Sequence, residues 1–181
     1  MKSFPVLAIL SLLPFCVQAS DPSPYVGQET RSIKSLSTKE QTDLLAGKGM
    51  GLAKAAELNG YPGPAHVLEL ALKLHLTDEQ RKKTEALFND MESKAKSLGA
   101  KLVDAERSLD ALFSTRQITH ANLTSALNEI GSLQAQLRAV HLSAHLDQKN
   151  ILSSHQITMY NKLRGYSGEQ PTSSHDHQHK H

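Results

Sequence analysis

The sequence has a single cysteine, no tryptophan, and only four phenylalanines and four tyrosines. Cys16 lies in an N-terminal segment that we expect to be removed, so the remaining chain could hold neither a disulfide bond nor a thiolate metal or redox site. With so few aromatic side chains, the core has to be built from leucine, isoleucine and alanine, which favours packed helices over a sheet. We therefore predict an all-α protein.

Charge and motifs exclude further classes of protein. The formal net charge is only +2 and no basic block is dense enough to follow phosphates, so we expect no nucleic-acid partner. The sequence contains no nucleophile elbow and no HExxH pair, and its glycine-rich stretch, GKGMG at 47–51, lacks the hydroxyl residue that a phosphate-binding loop places after its lysine. We predict that the protein is not an enzyme.

The N-terminal segment MKSFPVLAILSLLPFCVQAS has the plan of a secretory signal peptide. Lys2 precedes an apolar run over 4–17, and the small residues Ala19 and Ser20 follow it. This run is shorter than the roughly 20 residues that span a bilayer, and Pro14 would break a long helix there. We predict a signal peptide over 1–19, cleaved after Ala19, export of the chain, and no membrane span in the mature protein.

Composition divides the rest of the chain into three parts: an extended N-terminal arm (20–37), a helical domain (38–166) and a disordered, histidine-rich tail (167–181). Within the domain, a short helix is expected after Thr38 and another brief one over 52–58. The breaker clusters NG and PGP follow, and Pro64 suits the first turn of a helix through AHVLELALKL, residues 65–74.

Two long amphipathic stretches dominate the domain. In LTDEQ, Thr77 can cap a helix while Gln80 reaches back to the amide of the cap, the capping-box arrangement. Apolar residues then recur at helical spacing without a proline, which predicts a helix over 78–113, roughly 54 Å long. After the polar turn STRQIT, a second helix starts near His120 with these residues on one face: Leu123, Leu127, Ile130 and Leu137. A turn this short joins antiparallel neighbours, so we predict a long antiparallel helical hairpin with shorter flanking helices.

The pattern of LTDEQ returns near the end of the domain. In LSSHQ, residues 152–156, Ser153 takes the capping position and Gln156 lies three residues later, so a shorter helix should follow and stop at Gly165. Because a two-helix hairpin has too little depth to bury its apolar stripe alone, we expect a homodimer.

With these two segments, and with GMGLAKAAELNGYPGPAHVLELA at 49–71, the chain resembles the Spy/CpxP superfamily of bacterial periplasmic proteins, and in particular its heavy-metal resistance and sensor branch, similar to CnrX and ZraP. LTDEQ and LSSHQ look like two copies of the LTxxQ motif of that family, with Ser153 in place of threonine. The resemblance covers roughly residues 25–166. It implies a periplasmic, bent all-α hairpin that dimerises, lacks catalytic activity, and serves as a chaperone or a metal-linked stress protein.

His141 and His145 lie one turn apart on the second long helix, in RAVHLSAHLD. At about 100° per residue they continue the apolar stripe of Leu123 and Leu127, so a buried packing role is one interpretation. Metal ligation is the other, because the i, i+4 spacing brings both imidazoles to one side, as in helical zinc sites. Both interpretations stay open at this point.

Further ligands would come from the facing helix. With the hairpin turn near 116–117, His141 lies opposite Glu92 and His145 opposite Phe88, with Met91 in the seam. The two histidines with Glu92 would suit zinc, nickel or cobalt. Met91 as a thioether ligand would favour copper, and its alternative role is that of a gap-filling core residue.

More distant candidates lie before the hairpin and in the tail. His66 and Glu69, at i and i+3 on the preceding helix, are either ligands or part of a solvated face. Mixed histidine, glutamate and methionine ligands from separate helices are what the resemblance to the CnrX-like branch implies. The tail HDHQHKH would bind metal loosely through alternate imidazoles, or would be a disordered end with incidental affinity: His175, His177, His179 and His181.

The sequence therefore predicts a periplasmic metal-binding stress protein that binds zinc, nickel, cobalt or copper and acts in heavy-metal resistance or sensing. A membrane-bound sensor or regulator is one candidate partner. The alternative is an ATP-independent holding chaperone whose cradle for unfolded periplasmic proteins is an apolar stripe bordered by cations such as Lys94, Lys101 and Arg107. Changing the two histidines at 141 and 145 separates these functions, because only metal binding depends on them.

Overall fold

The structure, a computed structural model, describes residues 21–166. Over this range the chain forms six α-helices and no strand: α1 (Thr38–Leu45), α2 (Lys54–Glu57), α3 (Pro64–Glu69), α4 (Asp78–Ser114), α5 (His120–Ile151) and α6 (Ser154–Leu163). The predicted all-α class is confirmed. The predicted signal peptide and the histidine-rich tail lie outside the described residues.

The described residues belong to two units, 21–30 and 31–166. The first is a short series of turns, in which the amides of Val26 and Gln28 donate hydrogen bonds to the carbonyls of Ser23 and Tyr25. The second contains all six helices and is built on α4 and α5. Neither of these long helices, nor any other helix between residues 21 and 166, combines the length and the apolar character that a bilayer span requires.

Helices α4 and α5 form the predicted hairpin, and leucine, isoleucine and valine side chains fill its middle. Leu102 and Val103 of α4 pack in one core with Ile130 and Leu137 of α5. Leu127 is an exception to the predicted stripe, since half of its side-chain surface is exposed. It lies near the turn of the hairpin, where a pair of helices alone cannot enclose a side chain on all sides.

Helix α1 packs across α4 at Gly99. A Cβ atom at this position would collide with the carbonyl group of Leu44, so only glycine allows the two backbones to approach this closely. The chain then turns at Gly47, whose φ of +67° favours glycine, next to the backbone of Glu92. The loop 46–49 is thereby held against α4, where it becomes one wall of the pocket described below.

Both copies of the capping motif form capping boxes, as predicted. Thr77 and Ser153 accept hydrogen bonds from the backbone amides of Gln80 and Gln156, and the two glutamine side chains accept from the backbone amides of the caps. The two glutamines also bond each other, since the Nε2 of each donates to the Oε1 of the other at 2.8 and 2.9 Å. These bonds tie the start of α6 to the start of α4 at the open end of the hairpin.

The helix predicted over 65–74 is shorter than expected. Helix α3 ends at Glu69, and residues 70–75 form turns in which His75 adopts a left-handed conformation with φ of +50°. The chain has to reverse here to enter α4, and these turns do so while Val67 and Leu74 stay buried with Tyr160 of α6. The brief helix predicted over 52–58 is likewise only the single turn α2.

Candidate metal centre

A pocket of about 450 Å³ lies where α3, α4 and α5 meet the loop 46–49. All six candidate ligands from the helical domain line it: His66, Glu69, Met91, Glu92, His141 and His145. Phe88 lines it as well, so α4 faces the two histidines of α5 in the predicted register. Residues from three helices thus share one concave surface.

His141 is buried in the wall of this pocket. Only 3% of its surface is exposed, and its Nε2 has no hydrogen-bond partner. Burial, and to a lesser degree the neighbouring His145, lowers the pKa of this imidazole below its ordinary value. The ring is therefore neutral at pH 7, which is the form that binds metal ions. A buried polar atom without a partner costs about 1–3 kcal/mol, a cost that a bound cation at Nε2 would offset.

His145 is oriented by the backbone around Tyr61. Its Nδ1 lies 2.7 Å from the carbonyl oxygen of Tyr61, and since a carbonyl only accepts, Nδ1 must donate the proton. In the neutral ring, Nε2 then has the free lone pair. Gly63 packs directly against the ring, because a Cβ atom there would come within 2.9 Å of Nε2. Lys149 stacks on the Tyr61 ring at 3.9 Å and helps to fix this segment.

The other candidate ligands already have partners in the structure. The Nδ1 of His66 lies 3.0 Å from a carboxylate oxygen of Glu69, and both side chains are partly exposed. Glu92 pairs with Lys96 one turn later on α4, at 2.9 Å. Met91 is buried and contributes its side chain to the pocket wall. These residues line the pocket without being assembled around a common point.

Within residues 21–166, no group of three or more histidine, cysteine, aspartate or glutamate side chains is close enough together to hold a metal ion. A metal ion held beside His141 and His145 would therefore require a third protein ligand to move towards them. Of the histidines predicted as ligands, those of the tail lie outside the described residues.

The comparisons with known proteins agree with this chemistry. The model of a family described as heavy-metal resistance matches residues 49–158, which is more than half of the chain. The chain belongs to the heavy-metal resistance family. Neither the search of curated proteins nor that of solved structures finds a match. Membership in the heavy-metal resistance family confirms the resemblance to the heavy-metal resistance branch and links the chain to metal ions, without identifying the metal.

The sequence did not point to one residue beside the pocket, Glu57. Glu57 of α2 lies behind His145 with its side chain 13% exposed, and one carboxylate oxygen is buried, 3.7 Å from the Nδ1 of His145 and without a hydrogen-bond partner. The other oxygen accepts hydrogen bonds from the hydroxyl of Tyr160 at 2.6 Å, the hydroxyl of Tyr166 at 3.0 Å and the Nε of Arg164 at 3.3 Å. The only sequence signal is an acidic residue in the otherwise small and apolar stretch AKAAELNG.

Proposed function

We propose that this protein binds one divalent transition-metal ion in the pocket through His141 and His145, and that it acts without catalysis in heavy-metal resistance or sensing. The observation that supports this most is the state of the two imidazoles. One is buried and neutral with an unpartnered Nε2, and the other has its proton fixed on Nδ1. Both therefore offer nitrogen donors on the same pocket wall.

Packing alone explains these imidazoles poorly. A leucine would fill the position of His141 without burying a polar atom that lacks a partner, and such atoms are rare in folded proteins. The contact between His145 and the Tyr61 carbonyl is the arrangement typical of metal-binding imidazoles, in which the second ring nitrogen donates to a carbonyl or carboxylate. The pocket thus has features that a metal ion would use and a simple core would avoid.

The third ligand decides which metal fits. His66 would complete an all-nitrogen set and Glu92 a set of nitrogen and oxygen, both suited to zinc, nickel or cobalt, whereas Met91 would add a thioether and favour copper. His66 would first have to leave Glu69, and Glu92 would have to leave Lys96. Because the contact of His66 with Glu69 and the ion pair of Glu92 with Lys96 are both partly exposed, a metal could displace these partners at little cost.

Export, assembly and partners are further parts of the proposal. The N-terminal pattern favours a periplasmic location, where the tail histidines would capture metal loosely and deliver it to the pocket. A homodimer would cover apolar side chains that one chain leaves exposed, among them Leu58 and Leu72. A membrane-bound sensor or regulator would receive the signal of the metal-bound form.

The holding-chaperone alternative has less support. Its cradle would need free cations along the apolar stripe, but Lys94 pairs with Asp90, and Arg107 pairs with Asp104, within α4 itself. These pairs neutralise part of the positive charge that would attract unfolded clients. We therefore place metal binding first.

Calorimetric titration of zinc, nickel, cobalt and copper tests the proposal. The protein is used with its four tail histidines replaced by asparagine (H175N, H177N, H179N and H181N), a form called the tail-substituted protein below. We expect stoichiometric binding. His141→Ala and His145→Ala should each weaken the affinity for metal by more than the roughly 10–100-fold loss that is typical of changes outside the ligand shell. His155→Ala, at an exposed histidine of α6, is the matched control and should leave binding unchanged. Equal affinity in all variants, or no binding, would contradict the proposal.

A further inference from the structure

We propose that Glu57 is a positioning residue for the metal ion: its carboxylate stays outside the ligand shell, behind His145, and its negative charge strengthens the binding of a divalent cation by that imidazole. The inference rests on the proposed function, and it assigns a role to a residue of α2 that forms no part of the predicted ligand set.

The geometry places Glu57 on the side of the ring away from the metal-binding nitrogen. The Nδ1 of His145 donates to the Tyr61 carbonyl at 2.7 Å and lies 3.7 Å from the Glu57 Oε2. The longer distance exceeds that of a hydrogen bond but is short for an interaction of charges. A cation at Nε2 draws electron density from the ring and makes the Nδ1–H group more positive. The Tyr61 carbonyl oxygen and the Glu57 Oε2 both stabilise this positive charge.

The carboxylate is fixed in this position. Three donors hold its Oε1, from Tyr160, Arg164 and Tyr166, so the group cannot turn its second oxygen away from the ring without breaking them. The side chain is only 13% exposed, so water screens its charge little. The buried Oε2 accepts no hydrogen bond, so no other donor offsets its negative charge beside the imidazole.

The two carboxylates that line the pocket are placed differently from Glu57. The side chains of Glu69 and Glu92 are 66% and 37% exposed, against 13% for Glu57, so solvent screens their effect on a bound cation more strongly. Glu57 is the least exposed of these three carboxylates, and it lies beside an imidazole of the pair. Its loss should therefore weaken metal binding although it touches no metal.

The test compares Glu57→Gln with Arg164→Gln in the tail-substituted protein, with Co²⁺ as the probe. Glutamine at 57 removes the charge and keeps an acceptor for the two tyrosine hydroxyls. Glutamine at 164 also breaks the ion pair between Glu57 and Arg164, but it keeps the charge of Glu57. We expect Glu57→Gln to raise the Kd for Co²⁺ by about 10–100-fold with the visible absorption bands of the bound cobalt unchanged. Arg164→Gln removes a cation that offsets the charge of Glu57, while the hydroxyls of Tyr160 and Tyr166 still hold the carboxylate, so this change should not raise the Kd. Circular dichroism and the Tm of both metal-free variants report on folding.

Three outcomes would overturn the inference. An unchanged Kd in Glu57→Gln would exclude a role for its charge. Equal weakening in both variants would mean that the ion pair merely stabilises the fold. Altered cobalt bands in Glu57→Gln would make Glu57 a direct ligand. Wild-type affinity in Glu57→Gln together with lost binding in His141→Ala would leave the proposed function intact, whereas no binding of zinc, nickel, cobalt or copper to the tail-substituted protein would refute both.

Discussion

In the middle of the hairpin the buried side chains are apolar, with Leu102 and Val103 of α4 facing Ile130 and Leu137 of α5. At the open end, where α2, α3 and α6 surround the ends of the long helices, polar side chains are buried beside apolar ones: Thr84, His141, His145, Gln148 and Gln156. Apart from Gln156 of α6, the side chains named in both regions belong to α4 and α5, so the difference lies in what the short helices bring to them.

The two kinds of burial have different consequences. Apolar packing is not directional, and it stabilises the hairpin in proportion to the area removed from water. The bonds at the open end are directional: Gln148 donates to the Thr84 hydroxyl at 3.1 Å, and Gln156 pairs with Gln80. Directional bonds fix side-chain positions, which is what a site with prepared donors needs. The middle should therefore set stability, and the open end should set the geometry of the pocket.

Leu137→Ala gives the largest expected effect on the middle region. This side chain is 3% exposed and lies one turn before His141 on the same helix. Its truncation should lower the free energy of unfolding by about 2–5 kcal/mol, because it leaves a cavity in the core. Denaturant titration followed by circular dichroism measures the loss. Leu127→Ala, a half-exposed leucine on α5, is the control and should cost much less. If Leu137→Ala also weakens Co²⁺ binding by the folded protein, the two regions are not independent.

The glutamine pair tests the open end. Gln80→Ala and Gln156→Ala should each lower the free energy of unfolding by about 1–3 kcal/mol, because each removes part of a capping box and leaves buried groups without partners. The double variant should be destabilised by less than the sum, with a coupling of about 0.5–3 kcal/mol, since the two amides bond each other.

Thermal or denaturant unfolding of the four proteins in this cycle measures the coupling. Gln136→Ala, at an exposed glutamine of α5 that bonds Ser132, is the control and should change stability by no more than about 0.5 kcal/mol. Strict additivity of the two single changes would show that the glutamines act only as separate caps.

The local part of this fold was predictable from sequence because it depends on neighbours in the chain. A hydroxyl residue with a glutamine three positions later, placed directly before an apolar helical pattern, indicates a capping box, so the starts of α4 and α6 follow from Thr77 and Ser153. Helical periodicity together with one short turn was enough for the hairpin and for its register near Glu92. The reciprocal bonding of Gln80 and Gln156 was not predictable, since it joins segments that only the folded chain brings together.

The pocket shows the same division. The i, i+4 pair in α5 was evident from spacing, whereas the residues that prepare it lie on irregular or very short segments. Tyr61 contributes only its backbone carbonyl, and Glu57 lies on a single helical turn without periodicity. The early end of α3 also escaped prediction, because a suitable helical pattern was overridden by the reversal of the chain into α4.

His141→Leu is expected to have the smallest effect on stability at neutral pH and to be the most informative about the open end. Without metal, the variant should be as stable as the wild type or slightly more stable at pH 7.5, because leucine has a similar volume and removes the unpartnered Nε2. Loss of metal binding without loss of stability would identify His141 as a residue kept for function, which is a common trade-off at binding sites.

The advantage of the leucine variant should grow as the pH falls. Burial, together with His145, lowers the pKa of His141 in the folded protein, whereas in the unfolded chain it stays near 6.5. Below that pH the unfolded wild type binds a proton that the folded one does not, so its free energy of unfolding decreases until the pH reaches the folded pKa. The other titratable groups lining this pocket remain in the variant: Lys48, His66, Glu69, Glu92 and His145.

Denaturant titrations at pH 7.5, 6.0 and 5.0 in the presence of chelator should show a widening difference between the free energies of unfolding of His141→Leu and the wild type. His155→Leu is the control for the loss of a histidine as such. Parallel pH dependence of wild type and His141→Leu would mean that His141 titrates alike in both states and is not held neutral by the pocket.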